Sequence, residues 1–318
     1  MIPKILLIMN NKPILTIIGP TASGKTKLSI ELAKLLNGEI IGLDSRQIYK
    51  DMPIGTAQPT IDEMEGISHH LYGFHDPDKS ISAGKIVKLI KDTIKIIKSD
   101  SKTPIISGGA GLYYRSLKNG IFKGSISDEL TRMQLEKNYD KDPQAFLNRL
   151  THIDPNYAKI VHLNNKKRMV RAMEIYELTG KSPSEHFLRQ KKELSDNMSL
   201  FTIFLDWKKD VLINRIAKRT DQMLSSGWID EVQNLIDKQR LLQKSLPPLD
   251  SIGYQQIQAY LKNELTYEEM KEEVIIRTRQ FARRQIQWFN KENIDLTIEM
   301  DKINYSSLLK IICDLVIR

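Results

Sequence analysis

The chain has 318 residues, enough for one large domain or two smaller ones around a substantial core. Hydrophobic residues make up 41%, charged residues 27%, and the net charge is +9, a composition that describes a folded basic protein and suits a polyanionic partner. Cys313 is the only cysteine, which excludes an intrachain disulfide, a thiolate zinc cluster and a Cys-x-x-Cys redox pair.

The apolar run ILLIM at residues 5–9 is too short to span a bilayer and is stopped by NNKP. No cleavage-site pattern follows it and no run of about 20 apolar residues occurs elsewhere, so a cytoplasmic protein without membrane contact is expected. ILTII at 14–18 reads as a strand, the glycine-rich turn comes next, and a helix then carries Leu28, Leu32 and Leu35 on one side. EIIGL at 39–43 reads as the next buried strand, beside the first, with Asp44 at its carboxyl end. His69, His70 and His75 cluster, and the wall or hinge of a cleft is the preferred reading over a zinc site.

From Ala83, Val87, Ile90, Ile94 and Ile97 recur at helical spacing. TPIIS at 103–107 reads as a sheet strand running into GGAGLYY, whose glycines allow backbone to approach a ligand closely. Residues 124–195 are polar, helical and strand-poor, with loop signals at Asp142-Pro143, Asp154-Pro155 and Thr179-Gly180. FTIFL at 201–205 resumes the sheet, and the remainder reads as almost entirely helical, broken by SLPPLDSIG at 245–253. The expected fold is α/β: a P-loop NTPase-like parallel sheet flanked by helices, with an inserted helical lobe and a helical C-terminal region. The expected boundaries are 1–123 for the first part of the core, 124–195 for the inserted helical lobe, and 196–318 for the rest of the core and the basic C-terminal helices.

Gly19, Pro20, Thr21, Ala22, Ser23, Gly24, Lys25 and Thr26 fit the phosphate-loop pattern, in the strand-to-helix context that the motif requires. Its backbone N–H groups and the helix terminus suit phosphate, Lys25 reaches between phosphates, and the Thr26 hydroxyl is placed for Mg²⁺. ATP hydrolysis has less support, because the strand at 105–107 ends in Ser107-Gly108-Gly109 without an acid. Asp44 can bind magnesium through water, accept a proton from a nucleophile, or cap a following helix. Arg46 can pair with phosphate or a surface acid, and Gln47 can bond a base edge.

The blocks GPTASGKT, LDSRQIYKDMPIGTAQPT, HHLYGFHDP, GGAGLYYRSL, KKRMVRAMEIYELTGKSPSE, RIAKRTDQMLSSGWIDEV and TRQFARRQIQWF occur in that order. Together they resemble the bacterial tRNA dimethylallyltransferases (tRNA isopentenyltransferases) over nearly the whole chain. The resemblance implies transfer of a dimethylallyl group from dimethylallyl diphosphate to N6 of the adenine just 3′ of the anticodon. It implies that the phosphate loop holds diphosphate through Lys25 and Thr26, with Mg²⁺ on Thr26. Asp44 is then the general base at N6, Arg219 completes the diphosphate site, and Gln47, with Ser45 and Arg46 in the same block, meets the target base.

The chain departs from the family pattern at four places. Ala110 stands where the family usually has threonine in the GGTGLY-like block, leaving Ser107, water or backbone N–H groups to replace the hydroxyl. Gln58 stands at a commonly basic position, VHLNNKKR alters Leu163, Asn165 and Lys167, and Gln287 replaces a threonine. The first change touches chemistry, whereas the others are expected to tune RNA contact.

Residues 277–291 hold five basic residues and no acid. Val274, Phe281 and Trp288 lie seven apart and are expected on one buried helix face, with Arg279 and Arg283 on another as a phosphate ladder, followed by Arg284. Lys166, Lys167, Arg168 and Arg171 form a second basic patch, from which the lobe would clamp the tRNA anticodon stem-loop or roof the active site. Tyr113, Tyr114 and Trp288 are either stacking surfaces or core. Nothing in the pattern asks for self-association, so a monomer is expected. The rival readings are an adenylate isopentenyltransferase acting on free nucleotides, a P-loop nucleotide or metabolite kinase, and a non-catalytic RNA-binding switch.

Overall fold

In the computed structural model, which describes residues 13–120, 128–192 and 198–317, the chain divides into two compact units. One comprises Met1–Arg115 with Ser199–Arg318, and the other Ser116–Met198.

The first unit alternates strand and helix. It runs β1 (Ile14–Ile18), α1 (Lys25–Leu35), β2 (Gly38–Leu43), α2 (Ile61–Met64), β3 (His69–His70), α3 (Ala83–Ser99), β4 (Thr103–Gly108) and α4 (Gly111–Asn119). The helical unit contains α5 (Glu129–Lys141), α6 (Pro143–Ile153), α7 (Pro155–Ala158), α8 (Lys166–Thr179) and α9 (Pro183–Lys192). The first unit then resumes with β5 (Leu200–Asp206), α10 (Lys209–Ser225), α11 (Trp228–Leu242), α12 (Tyr254–Leu261), α13 (Tyr267–Phe289), β6 (Leu296–Glu299) and α14 (Tyr305–Ile317).

All pairings in the six-stranded sheet are parallel, in the order β3-β2-β4-β1-β5-β6. β1 and β2 are buried at every residue, as expected for strands covered on both faces. Alternation sends Leu15, Ile17, Ile40, Ile105, Ile203 and Leu205 to one face, where they pack with Leu28 and Leu32 of α1 and Leu308 and Ile312 of α14. Leu28 and Leu32 are fully buried, each contributing about 2 kcal/mol. Leu35 instead is exposed; α1 ends there, and Leu36 packs against the core. On the other face, Tyr114 and Phe289 meet edge-to-face at 5.7 Å, Phe289 lies against Phe204, and the Tyr114 hydroxyl bonds Thr202.

Two short strands escaped the sequence reading. β3 is an edge strand of two residues, His69 and His70, paired with β2. His70 Nε2 lies 2.6 Å from Glu39 and His69 Nδ1 is 2.8 Å from the Ile67 carbonyl. β6 interrupts the helical C-terminal stretch and pairs with β5.

The helical unit has its own apolar cluster, built from Leu135, Tyr139, Phe146, Leu150, Met169 and Met173 among others. Its Asp-Pro signals are helix starts: Asp142 caps α6 and Asp154 caps α7, each followed by proline at the first helical position. Arg132 and Arg171 flank the fully buried carboxylate of Glu174.

Candidate active site

β1 ends at Ile18 and the chain turns at once into the phosphate loop. Ala22 sits at φ 62° and Gly24 at φ 91°, a left-handed backbone that folds the loop over the start of α1. No side chain caps that helix. Its first N–H groups therefore remain available to an anion, at the positive end of the helix dipole. Ser23 is buried, with its hydroxyl lacking a hydrogen-bond partner among the described residues. Lys25 Nζ donates to the carbonyls of Gly19 (3.1 Å) and Pro20 (2.7 Å). Burial, with Arg219 adding to it and Asp44 opposing, pulls the Lys25 ammonium down to about 7.

The strand order corrects one expectation. β2 does not lie beside β1; β4 runs between them, pairing with both. Ile18, Gly108 and Leu43 sit level across the three strands. Asp44 is consequently two strand spacings, about 9–10 Å, from the start of the phosphate loop. The end of β4, continued by Gly109 and Ala110, therefore separates the phosphate loop from Asp44. A Cβ on Gly108 would stand 2.1 Å from the Leu43 carbonyl oxygen, so only glycine fits there.

Asp44 caps a turn, because no helix follows it. Its Oδ1 accepts the N–H groups of Arg46 (2.7 Å) and Gln47 (3.2 Å), which fixes the carboxylate and leaves Oδ2 uncommitted among the described residues. Ser45 is exposed and Arg46 half-buried. The candidates to replace the hydroxyl missing at Ala110 are largely engaged: the N–H groups of Gly109 and Ala110 both donate to the Leu43 carbonyl, and the buried Ser107 hydroxyl bonds Ser29.

α10 supplies the cationic wall. Arg219 Nη1 donates to the Thr21 hydroxyl at 3.1 Å, which places it against the phosphate loop. Burial lowers its pKa, opposed by Asp44 and Glu63, yet a guanidinium stays charged. Arg215, one turn earlier on the same face, donates to the Ala22 carbonyl at 2.8 Å and stacks on Trp207, whose indole N–H holds the Ser23 carbonyl. Neither Arg215 nor Trp207 was singled out from the sequence; the four-residue spacing from Arg219 was the available signal for the first.

Gln47 is committed on its nitrogen side. Its Nε2 donates to the carbonyls of Thr56 (3.1 Å) and Ala57 (2.6 Å), so Oε1 is the atom left uncommitted among the described residues. Gln58 likewise donates to the Tyr49 carbonyl, a structural bond within the same loop. That loop is pinned by Glu231, another residue the sequence reading passed over. Its carboxylate accepts the N–H groups of Ile54 and Gly55 and the Tyr254 hydroxyl, at 2.7, 2.9 and 2.6 Å. Burial pushes its pKa up, against those three donors.

The basic patches resolve unequally. On α13, Arg279, Arg283 and Arg284 are exposed, and the side chains of Arg279 and Arg283 have no partner among the described residues. The buried face is Met270, Val274, Ala282, Gln285 and Phe289, while Phe281 is exposed and Trp288 half-buried. Steps of seven drift around a 3.6-residue helix, which carries both aromatics to the margin of the buried stripe. In the helical unit, Lys166 is paired with Asp140 and Arg171 with Glu174, whereas Lys167 and Arg168 are exposed. Tyr114 belongs to the core, and Arg115 lies over the Trp288 ring at 4.3 Å, covering one stacking face.

No helix among the described residues is long and apolar enough to cross a membrane. The IPP transferase family profile matches residues 47–292. The chain is 39% identical over 301 residues to the tRNA dimethylallyltransferase of Bacillus subtilis (strain 168), covering 92% of this chain and 94% of that protein. It is 42% identical over 285 residues to the tRNA dimethylallyltransferase of Acetivibrio thermocellus, covering 88% and 90%. Among solved structures it is similar to the full-length tRNA isopentenylpyrophosphate transferase of Bacillus halodurans, with TM-score 0.70, 35% identity and 96% of both chains covered. A eukaryotic dimethylallyltransferase acting on tRNA aligns with TM-score 0.80 and 30% identity, covering 95% of this chain and 78% of that one. With a cradle for phosphate, a fixed carboxylate beyond one intervening strand and this extent of identity, the chain belongs to the IPP transferase family.

Proposed function

We propose that this protein transfers the dimethylallyl group of dimethylallyl diphosphate to N6 of the adenosine immediately 3′ of the anticodon in tRNA, releasing diphosphate. The observation that carries the reading is the separation of the phosphate loop from Asp44 by one intervening strand, with Ile18, Gly108 and Leu43 at one level. A flat base with an allylic chain beside it needs a separation of that width.

The donor's diphosphate lies on the loop N–H groups, with Lys25 and Arg219 against its charge. The adenine N6 approaches the allylic carbon from the Asp44 side. As the N6–C bond forms, the carbon–oxygen bond breaks, its electron pair leaves on diphosphate, and the N6 proton passes to Asp44 Oδ2. The cap on Oδ1 holds the acceptor oxygen in place during this exchange.

Thr26 is exposed on the first turn of α1, and no group of three or more His, Cys, Asp or Glu suited to a metal occurs among the described residues. One hard hydroxyl oxygen together with substrate phosphates is a donor set that Mg²⁺ accepts. When bound, the ion supplies positive charge to the leaving diphosphate. The exposed Arg279, Arg283 and Arg284 on α13 and Arg168 on α8 contact the phosphates of the anticodon stem-loop, and the protein acts as a monomer. The base leaves its stack to react, at a cost of a few kcal/mol, about the least in a loop.

The test combines purified protein, Mg²⁺, unmodified tRNA and dimethylallyl diphosphate, followed by mass analysis of nuclease digests. One dimethylallyl group on one loop adenosine is expected. Transfer to AMP but not tRNA would establish the free-nucleotide enzyme, and phosphoryl transfer from ATP would establish a kinase.

A further inference from the structure

Gln285 lies 264 residues from the phosphate loop in sequence, yet its side chain joins two sides of the site. Its Oε1 accepts the Thr21 N–H at 2.8 Å, and its Nε2 donates to the Gly109 carbonyl at 3.0 Å. The side chain is buried, with 6% exposure. Thr21 is the residue whose hydroxyl receives Arg219, and Gly109 belongs to the segment after β4 whose N–H groups grip Leu43, next to Asp44. One amide thus ties the donor loop to the segment on which the acceptor carboxylate is set. One turn further on, Trp288 backs the start of α4, since a Cβ on Gly111 would meet its ring at 2.3 Å.

The geometry points to Gln285 as a positioning residue that sets the spacing between the diphosphate cradle and the Asp44 carboxylate, and that links this spacing to the RNA-facing helix α13. The inference rests on the proposed transferase reading. At every pH a primary amide of this length accepts from one backbone N–H while donating to a backbone carbonyl at the other end. A glutamate carboxylate can do the first and not the second. A protonated glutamic acid can do both, with its O–H in place of the amide N–H. Methionine fills the same space and does neither, leaving two buried backbone groups without partners.

These properties define the experiment. Gln285→Glu and Gln285→Met are compared with the unaltered full chain in single-turnover transfer and in steady-state kcat and KM, from pH 6 to 8.5. The charged groups around the bridge are Lys25 beneath the loop, Arg219 on α10, Asp44 at the end of β2 and Arg284 on α13 itself. All are shared by the variants, so a change of the ratio with pH that the methionine variant also shows belongs to them and not to residue 285.

For Gln285→Glu, kcat should fall at least tenfold at pH 8 with KM for tRNA unchanged, and the ratio should climb several-fold as pH is lowered. For Gln285→Met, the ratio should be low and independent of pH. A pH-independent ratio for the glutamate variant, or unchanged kcat in the methionine variant, overturns the proposal. Gly109→Ala provides an arm with residue 285 intact, because the added Cβ would lie 2.3 Å from Gln285 Nε2 and displace it. Its defect and that of Gln285→Met should not add in the double variant, and full additivity would also overturn the proposal. Absence of transfer by the unaltered protein would instead defeat the transferase reading, independently of Gln285.

Discussion

The Asp44 carboxylate, at the end of β2, acts on the charge of Lys25 in the phosphate loop. The carboxylate favours the ammonium, while burial and Arg219 disfavour it, and the balance leaves Lys25 at about 7. A bound diphosphate adds negative charge beside Lys25 and restores the protonated form, so donor binding takes up a proton. The sign follows from linkage: below pH 7 the ammonium is already present and affinity is level, whereas above pH 7 each bound donor must recruit a proton. The expected dissociation constant for dimethylallyl diphosphate rises about tenfold per pH unit between 7.5 and 9. Titration calorimetry in buffers of different ionisation enthalpy reads both the affinity and the proton uptake. PH-independent affinity over that range would show that Lys25 enters already charged.

Arg279 and Arg283 have no acidic partner among the described residues, whereas Lys166 is held by Asp140. Arg279→Ala with Arg283→Ala should weaken tRNA binding and lower the slope of log affinity against log salt by about 0.7–0.9 per lost phosphate contact. Donor affinity should stay unchanged. Lys166→Ala should leave the slope nearly intact, and a larger effect there than at Arg279 would reverse the assignment of the RNA face.

Glu231 carries the loop that carries Gln47. Replacing it with alanine strands two backbone N–H groups and the Tyr254 hydroxyl in a buried setting. A stability loss of about 3 kcal/mol is expected in denaturant unfolding, together with weakened binding of the acceptor. An unchanged midpoint would show that water or a neighbour satisfies those donors.

Gly108→Ala tests the three-strand alignment. The added carbon meets the Leu43 carbonyl oxygen at 2.1 Å, between two backbones that cannot swing aside. A loss of about 3 kcal/mol and a disrupted site are expected. Thermal melting and donor binding measured on the same preparation check both effects, and wild-type values in both would contradict the packing described.

Legibility followed the range of the interactions. The phosphate loop, β1, β2, β4, β5 and α3 were readable because pattern and partner lie within a few residues of each other. β3 has two residues and β6 four, too short for alternation to register. The placement of β4 between β1 and β2 depends on pairings that local sequence does not encode, and it moved Asp44 one strand farther from the loop. Arg219 was found through family resemblance. Gln285 and Glu231 were missed because a buried amide or carboxylate shows its purpose only through distant backbone partners. Phe281 misled because a seven-residue repeat approximates the helical period without matching it.

Asp44→Asn is the most direct probe of the shared site. The amide oxygen can still accept the N–H groups of Arg46 and Gln47, so the turn survives while the basic oxygen is removed. Single-turnover transfer to tRNA should fall between about a hundredfold and ten-thousandfold, with dimethylallyl diphosphate affinity preserved in the same preparation. Wild-type turnover by this variant would contradict the assignment of Asp44 as the group that receives the N6 proton.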